Sequence, residues 1–345
     1  MRATARGFSS LSIAFMKITS KGLSDVGLAR EHNEDSFEIS EDFQLFIVAD
    51  GMGGHRAGDV ASQMATESML AFFRATQAED TTWPFHFDPT MSVDENRLMT
   101  SIKVANRKIY ETSVRNREVR GMGTTVVSAV LSRRRPRVYV AHVGDSRCYR
   151  IRGGQIKQLT RDHSLLNDYL LFMPEMTRER QDEIPKNVIT RALGMQDAVV
   201  VDLLSEVTEN GDVFLLCSDG LSGMLTDEEI LETVLEGAGD LEFASKELIR
   251  KANANGGEDN ITAVLLKVDE VPAEPDVDAA GPSPSPRNLA GAKTAEMPAV
   301  PDPNDREALG RANTLEMEAR SMPSKPPAKK KGGRKSAPPP KKKNK

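Results

Sequence analysis

The chain has 345 residues, and its 39% hydrophobic content suffices for a sizeable core in one large domain or two smaller ones. Its formal net charge of −5 hides an asymmetry, because residues 321–345 carry ten Lys or Arg and no acid, which leaves −15 for the first 320 residues. Cys148 and Cys217 lie in apolar stretches, so we predict two buried thiols, no disulfide framework and a cytoplasmic location. No apolar run approaches the roughly 20 residues that a membrane-spanning helix needs.

The first 17 residues form a predicted extension. A basic start is followed by an apolar stretch that is too short for a secretory signal. Residues 1–15 are therefore either an unstructured extension or the product of a misassigned start, with Met16 as the alternative first residue. We set the globular domain at residues 18–268.

Within that domain, strand-like and helix-like patterns alternate irregularly. Glycines 153 and 154 between two apolar-alternating runs predict a hairpin turn. Thr226 and Glu229 form a capping-box pattern at the start of one helix. This organisation predicts the α+β class, with antiparallel sheets and helices on their outer faces. The strands are predicted at residues 43–49, 124–131, 137–143, 147–152, 212–218 and 261–268, and the other helices at 57–73, 96–111 and 241–254.

Two segments lack a core-forming pattern. Residues 164–186 are charged and Met-rich without a clear period, so we predict a mobile insertion or flap. Fourteen of the 19 prolines lie after residue 270, and residues 271–345 are predicted to be a disordered tail. Its Lys-rich end is either a solubilising tail or a contact for an acidic surface.

Four short acidic segments stand far apart in the chain, and three of them lie beside a glycine or at the end of a predicted strand. Such strand ends can converge, and converging carboxylates repel one another unless a cation lies between them. An all-oxygen set of ligands suits Mg²⁺ or Mn²⁺. The sequence thus predicts a metal-dependent hydrolase. The segments are Glu34-Asp35, Asp50-Gly51, Asp219-Gly220 and Asp259-Asn260.

At this point the chain resembles a known family, the metal-dependent (PPM, type 2C) protein serine/threonine phosphatases in their bacterial form. The run Asp50-Gly51-Met52-Gly53-Gly54-His55 is similar to one signature, and Gly144-Asp145-Ser146-Arg147 to another. The resemblance covers about residues 20–268 and implies an antiparallel β-sandwich flanked by helices on both faces, in α-β-β-α layers. The remaining motifs that carry it are residues 24–35, 121–125, 159–164, 188–194, 218–221 and 259–262.

The resemblance also implies a binuclear Mn²⁺ or Mg²⁺ centre. Asp50 would bridge the two ions, and the Gly51 carbonyl would bind one of them. Asp219 and Asp259 would bind the other ion.

Three further acids complete the implied site. Glu34 and Asp35 would act mostly through coordinated waters. Asp145 resembles the aspartate that holds a third, weaker ion together with Asp219 in bacterial members of the family.

The implied reaction is attack of a metal-activated bridging water on a phosphoserine or phosphothreonine monoester. Arg30 would hold the phosphate, because a planar guanidinium can bind two of its oxygens. The leaving alkoxide needs a proton, and either His55 or a metal-bound water would supply it.

Other motif residues are predicted to support the site without taking part in the reaction. We expect Thr124 and Thr125 to pack and hydrogen-bond behind the metals. His163 should hydrogen-bond inside the fold, and Arg147 and Arg191 should pair with internal carboxylates.

The resulting prediction is a protein serine/threonine phosphatase, active as a monomer, that opposes a serine/threonine kinase and acts on the substrates of that kinase. Two alternatives remain open. One is a catalytically inactive protein that binds phosphoproteins, and the other is a two-metal nuclease aided by the basic tail. The retained carboxylates argue against the first, and the absence of an aromatic stacking run beside the tail argues against the second.

Overall fold

The computed structural model of the protein describes residues 16–53, 57–77, 83–185 and 187–272, so the predicted general acid His55 lies outside the described residues. Within these ranges the strands form two antiparallel sheets. The first sheet has the order β1 (Lys17–Asp25), β11 (Ile261–Glu270), β10 (Val213–Cys217), β7 (Arg147–Arg152) and β8 (Gln155–Gln158). The second has the order β2 (Asp35–Ser40), β3 (Leu45–Met52), β5 (Val126–Leu131), β6 (Arg137–Val143) and β9 (Asp202–Val207), with β4 (Gly123–Thr124) beside β3.

Helices cover the outer face of each sheet. The first two helices below share a hydrophobic cluster with the second sheet, and the last two share another with the first sheet. No helix in the described ranges is long and apolar enough to cross a membrane. The helices are α1 (Ala57–Ala75), α2 (Val93–Arg115), α3 (Leu165–Phe172), α4 (Arg178–Asp182), α5 (Asp219–Ser222), α6 (Asp227–Glu236) and α7 (Leu241–Ala254).

Strand β3 explains why the interior strands are continuous apolar runs. Leu45 and Ile47 are fully buried against α1 and α2, whereas Phe46 and Val48 are fully buried between the two sheets. Successive side chains of a strand point to opposite faces, so a strand with both faces covered needs apolar residues at every position. The predicted α-β-β-α layering is therefore confirmed.

The helix starts follow their caps. The predicted capping box at Thr226 is confirmed, because its hydroxyl accepts the Glu229 N–H at 3.2 Å while the Glu229 carboxylate accepts the Thr226 N–H at 2.8 Å. A second capping box joins Ser92 and Glu95. Because of this box, α2 begins at Val93, three residues before the predicted start at residue 96. The pattern of Ser92 and Glu95 in the sequence was the available signal for this start.

The predicted domain boundaries need two corrections. Strand β1 begins at Lys17 and the Met16 side chain is 2% exposed between the sheets, so neither residue belongs to an extension. Strand β11 continues to Glu270 rather than ending at residue 268. The predicted flap contains two short helices, α3, capped by the Ser164 hydroxyl, and α4.

Candidate metal centre

The predicted acidic residues lie at the ends of the strands that deliver them. Asp35 is the first residue of β2 and pairs directly with Asp50 near the end of β3. Asp219 begins α5 immediately after β10, and Asp145 follows β6 by two residues. Asp259 precedes β11 by two residues. Strands from both sheets thus supply carboxylates to one end of the sandwich.

The electrostatics show that these carboxylates are close to one another. Burial is the main reason that the pKa of Asp50 lies well above its ordinary value, and the nearby charges of Asp35 and Asp219 raise it further. Burial likewise raises the pKa of Asp35 to about 7, with Asp219 and Asp259 adding to the effect. Burial and the charge of Asp219 raise the pKa of Asp145 to about 7. A bound cation would offset this mutual repulsion.

Three of these carboxylates have an oxygen that is buried and unpaired among the described residues. They are Oδ1 of Asp35, Oδ1 of Asp145 and Oδ1 of Asp219. Buried polar atoms without a partner are rare and need an explanation such as an ion or a water. The donor set is entirely oxygen, which fits Mg²⁺ or Mn²⁺. The residues of the site therefore fit a divalent cation.

Two hydroxyls orient Asp35 so that its unpaired oxygen is free. Ser218 Oγ and Thr262 Oγ1 donate hydrogen bonds to Asp35 Oδ2 at 2.7 Å and 2.6 Å. Ser218 directly precedes the predicted ligand Asp219 at the N-terminus of α5, and Thr262 lies in β11, three residues after Asp259. The sequence interpretation assigned neither residue a role, although both lie within motifs that contain these acids.

Gly51 and Glu34 meet at the start of α1. The Gly51 N–H donates to the Glu34 carbonyl at 3.1 Å, and a Cβ at Gly51 would lie only 2.1 Å from the Gly58 carbonyl oxygen. The Glu34 carboxylate reaches a point 2.7 Å from where a Gly58 Cβ would lie. Only glycine at both positions allows the backbone and this acid to approach so closely. Burial raises the pKa of Glu34, as it does for Asp35, Asp50 and Asp145.

Arg30 lies at the mouth of the site. Its Nη2 donates to Asp259 Oδ2 at 2.6 Å, while the Arg30 side chain remains 51% exposed. Beside it lies a cavity of about 190 Å³ that is open to solvent. A guanidinium at this place can contact an anion that enters the cavity. The cavity is lined by Arg30, Glu31, His32, Glu34, Gly53 and Asn260.

Asn260 is a structural residue of the site that the sequence interpretation did not identify. Its Oδ1 accepts the Glu34 N–H at 2.7 Å, and its Nδ2 donates to the carbonyls of Val26 and His32, each at 2.9 Å. The side chain is 4% exposed. It therefore joins the loop that carries Arg30 and Glu34 to the β11 end that carries Asp259, and its place directly after Asp259 was the available signal.

The supporting residues behave as predicted. Thr124 Oγ1 donates to the Asp50 carbonyl at 2.8 Å, and the Asp50 N–H donates to Thr125 Oγ1 at 3.2 Å. Both threonines are fully buried.

The predicted arginine pairs are also present. Arg147 Nη2 donates to Asp162 Oδ2 at 2.7 Å, and Arg191 Nη1 donates to Asp202 Oδ1 at 2.8 Å. His163 Nδ1 accepts the Gly144 N–H at 3.0 Å inside the fold.

Comparison with known proteins agrees with this geometry. The family model for protein phosphatase 2C matches residues 29–263. The chain belongs to the protein phosphatase 2C family. The serine/threonine phosphatase stp of Listeria monocytogenes is 39% identical over 249 residues, which cover 71% of this chain and 94% of that protein.

Solved structures of the family share the fold. The serine/threonine phosphatase of S. agalactiae has a TM-score of 0.64 at 34% identity, covering 73% of this chain and 100% of that one. The catalytic domain of the phosphatase PstP in complex with 2 manganese ions has a TM-score of 0.62 at 30% identity, covering 74% of this chain and 100% of that one.

Membership of the protein phosphatase 2C family decides between the readings of the sequence. The chain is a metal-dependent protein serine/threonine phosphatase, as predicted, and its substrates are phosphoproteins. Nothing in the comparisons supports a catalytically inactive binding protein.

Proposed function

We propose that the converging carboxylates hold two Mn²⁺ or Mg²⁺ ions, with Asp50 between them. The Gly51 carbonyl would bind one ion, and Asp219 and Asp259 the other. When bound, the ions would acidify a water between them and neutralise charge on the phosphate. The observation that carries this assignment is the set of buried, unpaired carboxylate oxygens beside Asp50, including Oδ1 of Asp219.

Three further acids have subordinate roles in the proposal. Glu34 and Asp35 would hold coordinated waters, since the hydroxyls around Asp35 already occupy its Oδ2. Asp145 and Asp219 would share a third, weaker ion. The repulsion between these two carboxylates supports that arrangement, because it contributes to the raised pKa of Asp145.

The chain's own groups orient the substrate. Arg30 would bind two phosphate oxygens at the mouth of the cavity, where its guanidinium is half exposed. His55 remains the candidate general acid for the leaving serine or threonine alkoxide. Replacing His55 with Ala should slow turnover of a phosphothreonine peptide but not of p-nitrophenyl phosphate, because nitrophenolate leaves without a proton.

The substrates would include a serine/threonine kinase and the targets of that kinase, and the protein would act as a monomer. We place the catalytic domain at residues 16–272, because Val271 still packs against the inter-sheet core and donates its N–H to Asn210 Oδ1 at 2.8 Å. A cytoplasmic location is supported by the two free, buried thiols of Cys148 and Cys217.

A matched pair of variants tests the metal assignment. Asp50→Asn should lower kcat on a phosphothreonine peptide by more than about 1,000-fold, since losing a ligand shared by two ions removes several kcal/mol of transition-state stabilisation. Asp269→Asn removes the same charge from an exposed position and should change kcat less than about twofold. Equal activity of the two variants would refute the role of Asp50, and hydrolysis of phosphodiesters alone would favour a nuclease.

A further inference from the structure

Beside the metal centre lies a second group of polar side chains, formed by the buried His142 and His163 and the part-exposed Arg191 and Asp202. The His163 side chain is fully buried, and its ring stacks on that of His142 with 4.6 Å between centroids and 18° between planes. His163 Nε2 lies 3.3 Å from Asp202 Oδ2 and 3.2 Å from Arg191 Nη1. None of these residues carries a role in the reaction described above.

The hydrogen bonds of His163 determine which tautomer it adopts. Gly144 donates its N–H to Nδ1 at 3.0 Å, so Nδ1 carries a lone pair and no proton. The ring is neutral, because a protonated ring has no nitrogen that can accept this bond. Burial, and then the charge of Arg191, lower the His163 pKa and so favour the neutral form. The one ring proton therefore lies on Nε2 and is donated to Asp202.

This tautomer disfavours a metal ion, although His142, His163 and Asp202 could otherwise be taken for a ligand set. A metal-binding histidine coordinates through one nitrogen and donates a hydrogen bond from the other. Here the second nitrogen of His163 accepts a hydrogen bond instead. The guanidinium of Arg191, 2.8 Å from Asp202, would also repel a cation.

His163 joins the loop that contains Gly144 and Asp145, where the third ion is predicted, to both ends of the flap. Besides the bond at Nδ1, the His163 N–H donates to the Gly144 carbonyl at 2.9 Å, so two bonds fix the residue that precedes Asp145. The His163 carbonyl accepts the Thr190 N–H at 2.8 Å. The next residue, Ser164, forms an antiparallel bridge with Ile189. The two ends of the flap thus meet at His163.

The position of Gly144 is linked to that of Asp50 through Thr125. Gly144 has φ +111°, and a Cβ at this position would lie 2.6 Å from the Thr125 side chain, so its backbone packs directly against Thr125. Thr125 hydrogen-bonds to Ser146 at 2.7 Å, and its hydroxyl accepts the Asp50 N–H. A displacement of Gly144 would therefore move both Asp145 and the support of Asp50.

We propose that His163 is a positioning residue that fixes the Gly144–Asp145 backbone to the two ends of the flap and thereby aligns the metal-binding carboxylates. The inference rests on the proposed roles of Asp50 and Asp145. It assigns the essential contact to Nδ1, which holds Gly144, and only a secondary one to Nε2, which holds Asp202.

Two isosteric variants separate these contacts. In His163→Asn the amide oxygen can take the place of Nδ1 and accept the Gly144 N–H, whereas in His163→Gln the amide can reach only Asp202. We expect His163→Gln to lower kcat on a phosphothreonine peptide by roughly tenfold to a hundredfold, as small misplacements of catalytic groups do, with KM changed less than about twofold. His163→Asn should retain kcat within about threefold.

The same variants provide a readout that loss of stability alone would not produce. The Mn²⁺ concentration for half-maximal activity should rise for His163→Gln and stay unchanged for His163→Asn, with both assayed at a temperature where circular dichroism shows them folded. Equal kcat values for the two variants, or an unchanged kcat in His163→Gln, would overturn the proposal. If the wild-type protein itself shows no metal-dependent hydrolysis of the peptide, the proposed function is refuted instead.

A measurement on the wild-type chain keeps the proposal testable should neither variant fold. Nitrogen-15 NMR of the histidine rings should find the His163 proton on Nε2, with Nδ1 bare, and Zn²⁺ should leave the ring signals of His142 and His163 unchanged. A proton on Nδ1, or coupled shifts of both rings upon Zn²⁺ addition, would show that these side chains form a metal site and would overturn the positioning role.

Discussion

Asp35 and Asp50 lie directly opposite each other on the neighbouring strands β2 and β3. Like charges in such a cross-strand pair destabilise a sheet. The charge of Asp35 adds to the burial that raises the pKa of Asp50, so the metal-free centre is held in an unfavourable charge state. The repulsion lowers stability at this strand end, and it makes the stability of the fold depend there on pH and on cations.

The first prediction concerns stability against pH. The pKa values of Asp35 and Asp145 rise from 3.8 in the unfolded chain to about 7 in the fold. A raised pKa means that the metal-free fold binds protons more tightly, so this stabilisation is complete below about pH 4 and is lost as the pH rises through 7. Mn²⁺ bound to the deprotonated acids, as proposed, would remove that loss.

The increase in Tm that saturating Mn²⁺ produces should therefore be larger at pH 8 than at pH 6. Differential scanning fluorimetry, with EDTA as the reference at each pH, measures it. The Asp50→Asn variant serves as a control in which the increase should be much reduced. An increase that is the same at both pH values would contradict the assigned charge states.

The second prediction concerns phosphate binding by Arg30. Its guanidinium is half exposed beside the cavity and can form two charge-assisted hydrogen bonds to a phosphate. Arg30→Ala should lower kcat/KM on a phosphothreonine peptide by roughly tenfold to a hundredfold, which corresponds to the 1.5–3 kcal/mol typical of such bonds. The kcat/KM of Arg30→Lys should lie between those of the wild type and Arg30→Ala, because an ammonium keeps the charge but lacks the planar fork.

Arg107→Ala removes an exposed arginine that pairs with Glu111 within α2, and it should leave steady-state kinetics unchanged. The assignment of Arg30 fails if its alanine variant keeps the wild-type kcat/KM.

The third prediction concerns Asn260, whose side chain joins three backbone groups around the site. In Asn260→Asp an oxygen replaces the donor that faces the carbonyls of Val26 and His32, and these two part-buried acceptors lose their partner. We expect the free energy of unfolding to fall by about 2–5 kcal/mol. Chemical denaturation of the metal-free protein measures this loss.

The matched control is Asn255→Asp. Its Nδ2 donates a single, exposed hydrogen bond to the Met224 carbonyl, so the same substitution should cost less than about 1 kcal/mol. Similar losses in the two variants would mean that Asn260 does not organise the site.

The fourth prediction concerns the domain boundary. A chain that ends at residue 272 keeps β11 and the hydrogen bond between Val271 and Asn210. Its kcat on p-nitrophenyl phosphate should equal that of the full chain, because every proposed site residue lies within it. A further cut that removes residues 268–272 should lower Tm, since Val268 is fully buried between the sheets. A large loss of turnover in the chain that ends at residue 272 would contradict the boundary.

Sequence patterns predicted the interior of the fold better than its edges. The six strands given bounds in advance correspond to β3, β5, β6, β7, β10 and β11, which are the interior strands of the two sheets. The edge strands β1, β2, β8 and β9 were not given bounds. Their residues are mostly part-exposed or exposed, as in Asp35–Ser40, so no continuous apolar run marks them. Predicting a half-buried edge strand therefore requires knowing which strand it pairs with, and the amino-acid composition of the segment does not give that.

A similar limit applies to the site. The acids could be identified from their motifs, because all except Glu34 and Asp35 stand beside a glycine or a buried strand. The contacts that orient them could not, since Asn260 and His163 act on residues that are distant in sequence. His163 is 19 residues from Gly144, and Asn260 is 226 residues from Glu34. Only the folded chain brings these partners together.

The central claim is that acids from separate strands hold the same ions. Anomalous diffraction from crystals grown in MnCl₂ tests it directly, because manganese positions appear independently of the protein atoms. The account predicts two strong peaks that share Asp50, with Asp219 and Asp259 in contact with one of them. Peaks at His142 and His163 instead, or no peak within coordinating distance of Asp50, would contradict it.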